Sequence, residues 1–366
     1  MKKSLLAVAV AAALPVAAFA QTNVTLYGIA DVGVGMNDTD GPGTDNFMVV
    51  NSGYQSTSRW GIRGSEDLGG GLRAIFNVEA GIDMDTGITD DQTGAGTAHG
   101  PGYFSRRSVV GLAGGFGEVR LGRDYTTGFS AAGQTDIMGY GLFGNWLSYT
   151  AGAGGITTRA SNGIWYTSPA FGNTKCMAGP SPDCPAFGGG LTLTGFYTTG
   201  ETNVDPNEAG DGWGLAVVYK GGPLVAQIYY QELNDAAGDA KKEMGLGGGW
   251  NFGAFRVTAA YGTTETPAGV DTDGASLGVG IKLGAGELLG QAIQIKRDVA
   301  GDPKATILGL AYVHPLSKRT NLYATYGMAR NNAAGSFSML ASDNSVAAGA
   351  VGADPKGFAV GVRHMF

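Results

Sequence analysis

From Val24 to the last residue, the chain keeps returning to one pattern: short stretches in which every second residue is apolar. Residues 72–83 show it most clearly. Leu72, Ala74, Phe76, Val78, Ala80 and Ile82 share one parity; Arg73, Asn77, Glu79 and Asp83 share the other, with Ile75 the exception. Val24, Leu26, Ala30, Val32 and Val34 oppose Thr25, Tyr27 and Asp31 in the same way, and Trp60 and Ile62 oppose Arg59, Arg63 and Ser65. The alternation returns at Leu277, Val279, Ile281 and Leu283 and closes the chain at Phe358, Val360, Val362 and Phe366. Successive side chains of a strand point to opposite faces, so each stretch reads as a strand with one apolar and one polar face. A soluble sheet could hold a few such strands. A chain made of them must meet something apolar along nearly its whole length.

The first twenty residues differ from the rest. Lys2 and Lys3 precede an apolar core, Leu5 to Ala18, and Ala18-Phe19-Ala20 gives a small-x-small cleavage site, the layout of a secretory signal peptide. Removing Lys2 and Lys3 with that leader leaves 22 basic residues against 31 acidic ones, a net charge of −9. Nucleic acid, which needs a concentrated basic surface, is therefore not an expected partner. Gly accounts for 65 of 366 residues, yet hydrophobic residues are 43% and no Gly-X-Y period exists, which excludes collagen and argues against disorder. Beyond the leader no apolar run reaches the ~18 residues of a spanning helix. An exported chain of alternating strands without such runs predicts a transmembrane antiparallel β-barrel. In a bilayer a sheet satisfies every backbone group only by closing on itself.

The links between strands alternate in length. Tight turns fall at 67–71, 114–117, 221–223, 284–286 and 317–320, and long polar stretches near 35–56, 84–102, 125–160, 200–211, 234–241, 265–272, 298–304 and 331–355. Short periplasmic turns and long extracellular loops are the expected layout, with about sixteen strands. The domain reading is a leader over 1–20 and a single barrel over 21–366. Cys176 and Cys184 lie in a Gly/Pro-rich insert; in an exported chain their spacing favours a local disulfide, with two free thiols as the alternative.

The chain resembles the trimeric general porins of beta-proteobacteria along essentially its whole mature length. The resemblance rests on Val24 to Gly28, on Ser58-Arg59-Trp60-Gly61-Ile62-Arg63-Gly64-Ser65-Glu66-Asp67-Leu68-Gly69-Gly70-Gly71-Leu72, on Arg107 to Leu112 with Leu121-Gly122-Arg123, on Leu316 to Tyr323, and on the terminal Phe366. It implies sixteen strands, a homotrimer in the outer membrane among lipid and lipopolysaccharide, and a third long loop folded into the lumen. Two features depart from the family: the insert at 172–190, and His314-Pro315 ahead of a late turn.

On this reading the constriction is the segment from about 125 to 159, whose cluster Ile137, Met138, Tyr140, Leu142, Phe143, Trp146 and Leu147 argues for packing against the wall. Arg59, Arg63, Arg107, Arg123 and Arg159 are the expected pore-lining cations, and Asp136 the acid facing them. Arg106 and Arg107 are adjacent, so strict alternation puts one of them inside. The expected function is passive diffusion of small hydrophilic solutes and ions with a modest anion preference; a substrate-specific channel for small anions or sugars is the alternative. No cofactor or metal is expected. The acidic stretches lack the spacing of calcium loops, and His99, His314 and His364 are too scattered for a hydrolase triad.

Overall fold

Each alternating run forms a strand whose two faces meet different surroundings. The computed structural model describes residues 23–89, 103–150, 155–172, 190–201 and 208–366. The leader, Cys176, Cys184 and His99 lie outside the described residues. The wall begins with β1 (Asn23–Asp38), β2 (Phe47–Ser52), β3 (Arg59–Gly69), β4 (Leu72–Gly81), β5 (Arg107–Gly114) and β6 (Gly117–Tyr125). It continues through β7 (Arg159–Thr167), β8 (Gly190–Thr198), β9 (Gly212–Gly221), β10 (Leu224–Asn234), β11 (Ala240–Asn251) and β12 (Phe255–Glu265). It ends with β13 (Asp271–Leu283), β14 (Gly286–Arg297), β15 (Lys304–Pro315), β16 (Thr320–Asn331) and β19 (Lys356–Met365). Between the last two, β17 (Met339–Ala341) and β18 (Asn344–Val346) form a small separate hairpin.

Neighbours pair antiparallel all the way round, and β19 returns to β1, with Asp31 opposite Arg363 and Val34 opposite Val360. The sheet has 17 segments, but β2 and β3 both pair with β1 and occupy one position in the wall. The barrel is therefore closed with sixteen strand positions. The first long loop is shorter than the sequence suggested, because residues 47–52 are paired strand. Pro315 does not interrupt β15. It is the last residue of the strand, where a missing N–H costs least.

The register assigns the faces. Val24, Leu26, Leu121, Leu215, Leu246, Leu277 and Leu310 point outward and are exposed. Outward aromatic residues flank this band: Trp213 and Tyr261 toward the loop rim, Tyr219, Trp250 and Phe255 toward the turn rim. An apolar belt between two aromatic girdles is the surface a bilayer requires. At the turn after β3, Gly69, Gly70 and Gly71 have φ of +85°, +63° and +80°, a run of left-handed residues that only glycine adopts without strain.

The inward face is where the core sits. The break between β2 and β3, residues 53–58, swings into the lumen. There the Asp31 carboxylate accepts the Gln55 and Ser56 amides at 2.9 and 2.6 Å and the Tyr323 hydroxyl at 2.6 Å. Tyr54 is carried inward and packs edge-on against Phe143 at 5.6 Å.

Candidate functional site

Two strand ends frame the narrow part of the lumen. The chain leaves β6 at Tyr125, turns through a short helix, α1 (Thr127–Ala132), and returns at Arg159 to start β7. Thr126 caps the helix, its hydroxyl oxygen accepting the Phe129 amide. Beyond α1 the loop runs along the inner wall of β9 to β16 rather than outside the barrel. Ile137, Met138, Leu142, Phe143, Trp146 and Tyr149 are almost fully buried.

Glycine in the wall makes room for them. Gly274, Gly278 and Gly357 point inward, and a Cβ there would sit 2.5 Å from Tyr149, 2.7 Å from Ile137 and 3.0 Å from Phe143. Part of the glycine load thus follows from fitting a loop inside the barrel, a role that turns and bends do not cover.

Both ends of the loop are tied to one polar pair on the wall. The Gln231 side chain accepts the Gly128 amide at 2.8 Å and donates to Glu243 at 2.6 Å. Glu243, fully buried, accepts the Thr157 amide and hydroxyl at 2.9 and 2.7 Å and pairs with Lys241 at 2.7 Å. The β17–β18 hairpin clamps the tip. The Leu340 carbonyl accepts the Gly144 amide, and Gly141 accepts the Ser342 amide at 2.7 Å. The last long loop is therefore also partly inside.

Asp136 belongs to this scaffold. It accepts the Met138 and Tyr140 amides and the Gln291 side chain at 3.2, 2.7 and 2.9 Å, and is 8% exposed. Burial pushes its carboxyl above the usual range, against the pull of those donors. It is held against β14 and does not face the arginines.

The opposite inner wall, β3 to β7, is charged. Register puts Arg59, Arg63, Glu79, Arg107, Arg120 and Glu118 on the inward row. Arg63 lies over the Tyr27 ring at 5.0 Å. Arg107 and Arg120 share Asp124 at 2.7 and 2.9 Å, and Arg120 also reaches Glu118 at 3.1 Å. Arg106 pairs with Glu79 at 2.9 Å, so both Arg106 and Arg107 are inside. Strict alternation fails because β5 begins at Arg107 and Arg106 lies in the irregular approach to it. Arg106 and Arg159 each donate to the Tyr125 hydroxyl, at 2.8 and 2.9 Å. Tyr125 stacks on Phe129 of the loop at 5.3 Å. Among the described residues, no carboxylate lies within ion-pair distance of Arg59 or Arg63.

Arg123 stands apart. It is opposite Ser108 on the outward row, beside a bulge in β6, and donates to the Ser105 carbonyl and the Ser161 hydroxyl. The glycine before it and the register shift at 122–124 re-aim the side chains there. Arg106, Arg120 and Tyr125 are the members of the cluster that sequence patterning did not single out as lining residues. Arg120 was legible from its parity with Glu118, whereas Tyr125 was not, since its place depends on the loop folding inward.

A family model described as Gram-negative porin matches residues 7–334. The chain is 36% identical to outer membrane porin protein 32 of Delftia acidovorans and 30% identical to an outer membrane porin protein of Bordetella pertussis, over the full length of both chains in each case. Its structure matches an anion-selective porin from Comamonas acidovorans with a TM-score of 0.76 and 31% identity, covering 94% of this chain and 100% of that one. OmpT of Vibrio cholerae, in a trimer form, shares the fold alone, with a TM-score of 0.66 at 15% identity, covering 94% of this chain and 99% of that one. A closed sixteen-position barrel narrowed by an inward loop agrees with these matches, and the chain belongs to the family of Gram-negative porins.

Proposed function

We propose that this outer-membrane porin passes small hydrophilic solutes and ions by passive diffusion with a preference for anions, and performs no chemistry on them. The observation that carries the selectivity is an imbalance across the constriction. Residues 126–158 contain one acid, Asp136, and it is buried in the scaffold. The accessible residues of the loop include Ser130, Gln134, Gly139 and Tyr140, which carry no charge at neutral pH. Facing them, Arg59, Arg63, Arg106, Arg107, Arg120 and Arg159 stand against Glu79, Glu118 and Asp124, a surplus of positive charge at the narrow point. The hairpin adds one acid, Asp343, whose carboxylate accepts the Thr57 hydroxyl. Lining charge and pore width decide what such a channel passes. Reversal potential in planar bilayers under a KCl gradient tests this: chloride should be favoured, and a clear potassium preference overturns the reading.

The same reading holds that three copies assemble side by side. Strands β5 to β7 have 8 or 9 residues, whereas β13 to β16 have 12 or 13. At about 3.3 Å per residue and a tilt near 45°, the short strands rise only about 20 Å, below the ~25 Å belt a lipid-facing wall needs. A neighbouring copy against that low side removes the mismatch, which supports the homotrimer. Cross-linking in native membranes should give trimers; a ladder dominated by monomer overturns it.

A further inference from the structure

The uncharged side of the constriction is aromatic. Tyr125, Phe129 and Tyr140 form one row that starts on the arginine wall and ends on the loop. Tyr125 and Phe129 stack with centroids 5.3 Å apart and planes 6° apart, and Tyr140 meets Phe129 at 4.5 Å. The guanidinium groups of Arg159 and Arg107 lie over the Tyr125 ring at 4.4 and 5.5 Å. All three rings are partly exposed, whereas Ile137, Met138, Leu142, Phe143 and Trp146 of the same loop are buried.

The backbone of this row is strained. Tyr140 has φ of +59°, a left-handed conformation that a bulky residue adopts only where its surroundings impose it. Asp136 accepts its amide at 2.7 Å, and its hydroxyl donates to the Phe129 carbonyl at 2.8 Å. The ring lies against Gly133, where a Cβ would sit 2.7 Å from it. Strain of this kind gathers where a protein meets its ligands. Across from the row, Arg59 and Arg63 are accessible and, among the described residues, lack a carboxylate within ion-pair distance. The charge of Arg59 reaches the Tyr125 hydroxyl.

A solute in this eyelet meets fixed cations and exposed rings together. A flat aromatic carboxylate satisfies both. Its carboxylate takes charged hydrogen bonds from a guanidinium, and its ring makes offset or edge contacts with Phe129 and Tyr140. A saturated ring of the same charge fills the space without those contacts. We propose that the constriction is a binding step for small aromatic carboxylates, with Arg59 and Arg63 holding the carboxylate and Phe129 and Tyr140 the ring. This rests on the anion preference proposed above and adds a substrate class to it.

The test uses the mature porin in planar bilayers, with benzoate or cyclohexanecarboxylate added to KCl. Both should block the chloride current, benzoate at a half-blocking concentration lower by about threefold or more. R59Q/R63Q should weaken the block by both. F129L, checked for folding by heat-dependent gel mobility, should bring benzoate to the level of cyclohexanecarboxylate. Equal block by the two carboxylates in the unaltered protein, or none by either, overturns the proposal, whatever the variants do. An F129L pore of native mobility that keeps the full difference overturns it too. The reversal potential, read in the same bilayers, separates the two readings. If chloride is favoured over potassium and the two carboxylates block alike, this inference fails alone; if potassium is favoured, the anion preference beneath it has failed.

Discussion

The two halves of the barrel wall solve opposite problems with the same alternating strands. From β3 to β7 the inward row is crowded with guanidinium and carboxylate groups, and β5 to β7 are short. From β9 to β16 the inward row is largely small or uncharged, and β13 to β16 are long. The difference is what each half touches. The second half receives the folded loop and needs space and hydrogen-bond partners. The first half meets water and solute through Arg59 and Arg63, while Arg106, Arg159, Glu79 and Asp124 form a buried, paired network in the same wall. Wall charge thus serves passage, and wall glycine serves the device that narrows it.

The largest expected break in this division is at Glu243. Replacing it with Ala leaves Lys241, Gln231 and Thr157 without their shared acceptor. Removing one partner of a buried ion pair costs about 3–5 kcal/mol. Thermal unfolding should drop markedly, and single-channel current should flicker as the loop loosens. A quiet channel of unchanged conductance would mean that the loop is held elsewhere. Next comes Gly278→Leu, which forces a side chain into the space of Ile137 at about 1–3 kcal/mol. Here the loop should lift and conductance change while the arginine wall stays intact.

The charged half should respond differently. R59Q/R63Q should shift the reversal potential severalfold toward potassium with melting changed by less than about 0.5 kcal/mol, as for other accessible substitutions. For the unaltered protein the preference should shrink as KCl approaches 1 M, where screening acts within about 3 Å. The smallest effect sharpens the contrast. Asp136→Asn removes one acceptor from a buried network, costing about 1–2 kcal/mol, and should leave selectivity where it was, since that carboxylate does not face the pore. A shift of the same size as that of R59Q/R63Q would return Asp136 to the constriction.

Alternation by itself determined the strands, their faces and the barrel. Hydrophobic parity is a local property, and a bilayer allows only one closed solution for such a chain. It also placed Arg59 and Arg63 on the inner wall, because regular strands carry parity faithfully. Parity failed at Arg106, at Arg123 and at the broken strand of residues 47–59. A bulge or an irregular approach changes which way the next side chain points, and nothing in the neighbouring residues announces it. Only the tertiary structure decided what lies opposite what. That Asp136 supports the loop rather than the field, that Tyr125 gathers two arginines, and that the last long loop clamps the third are contacts between residues far apart in the chain. Their geometry exists only once the barrel has closed around them.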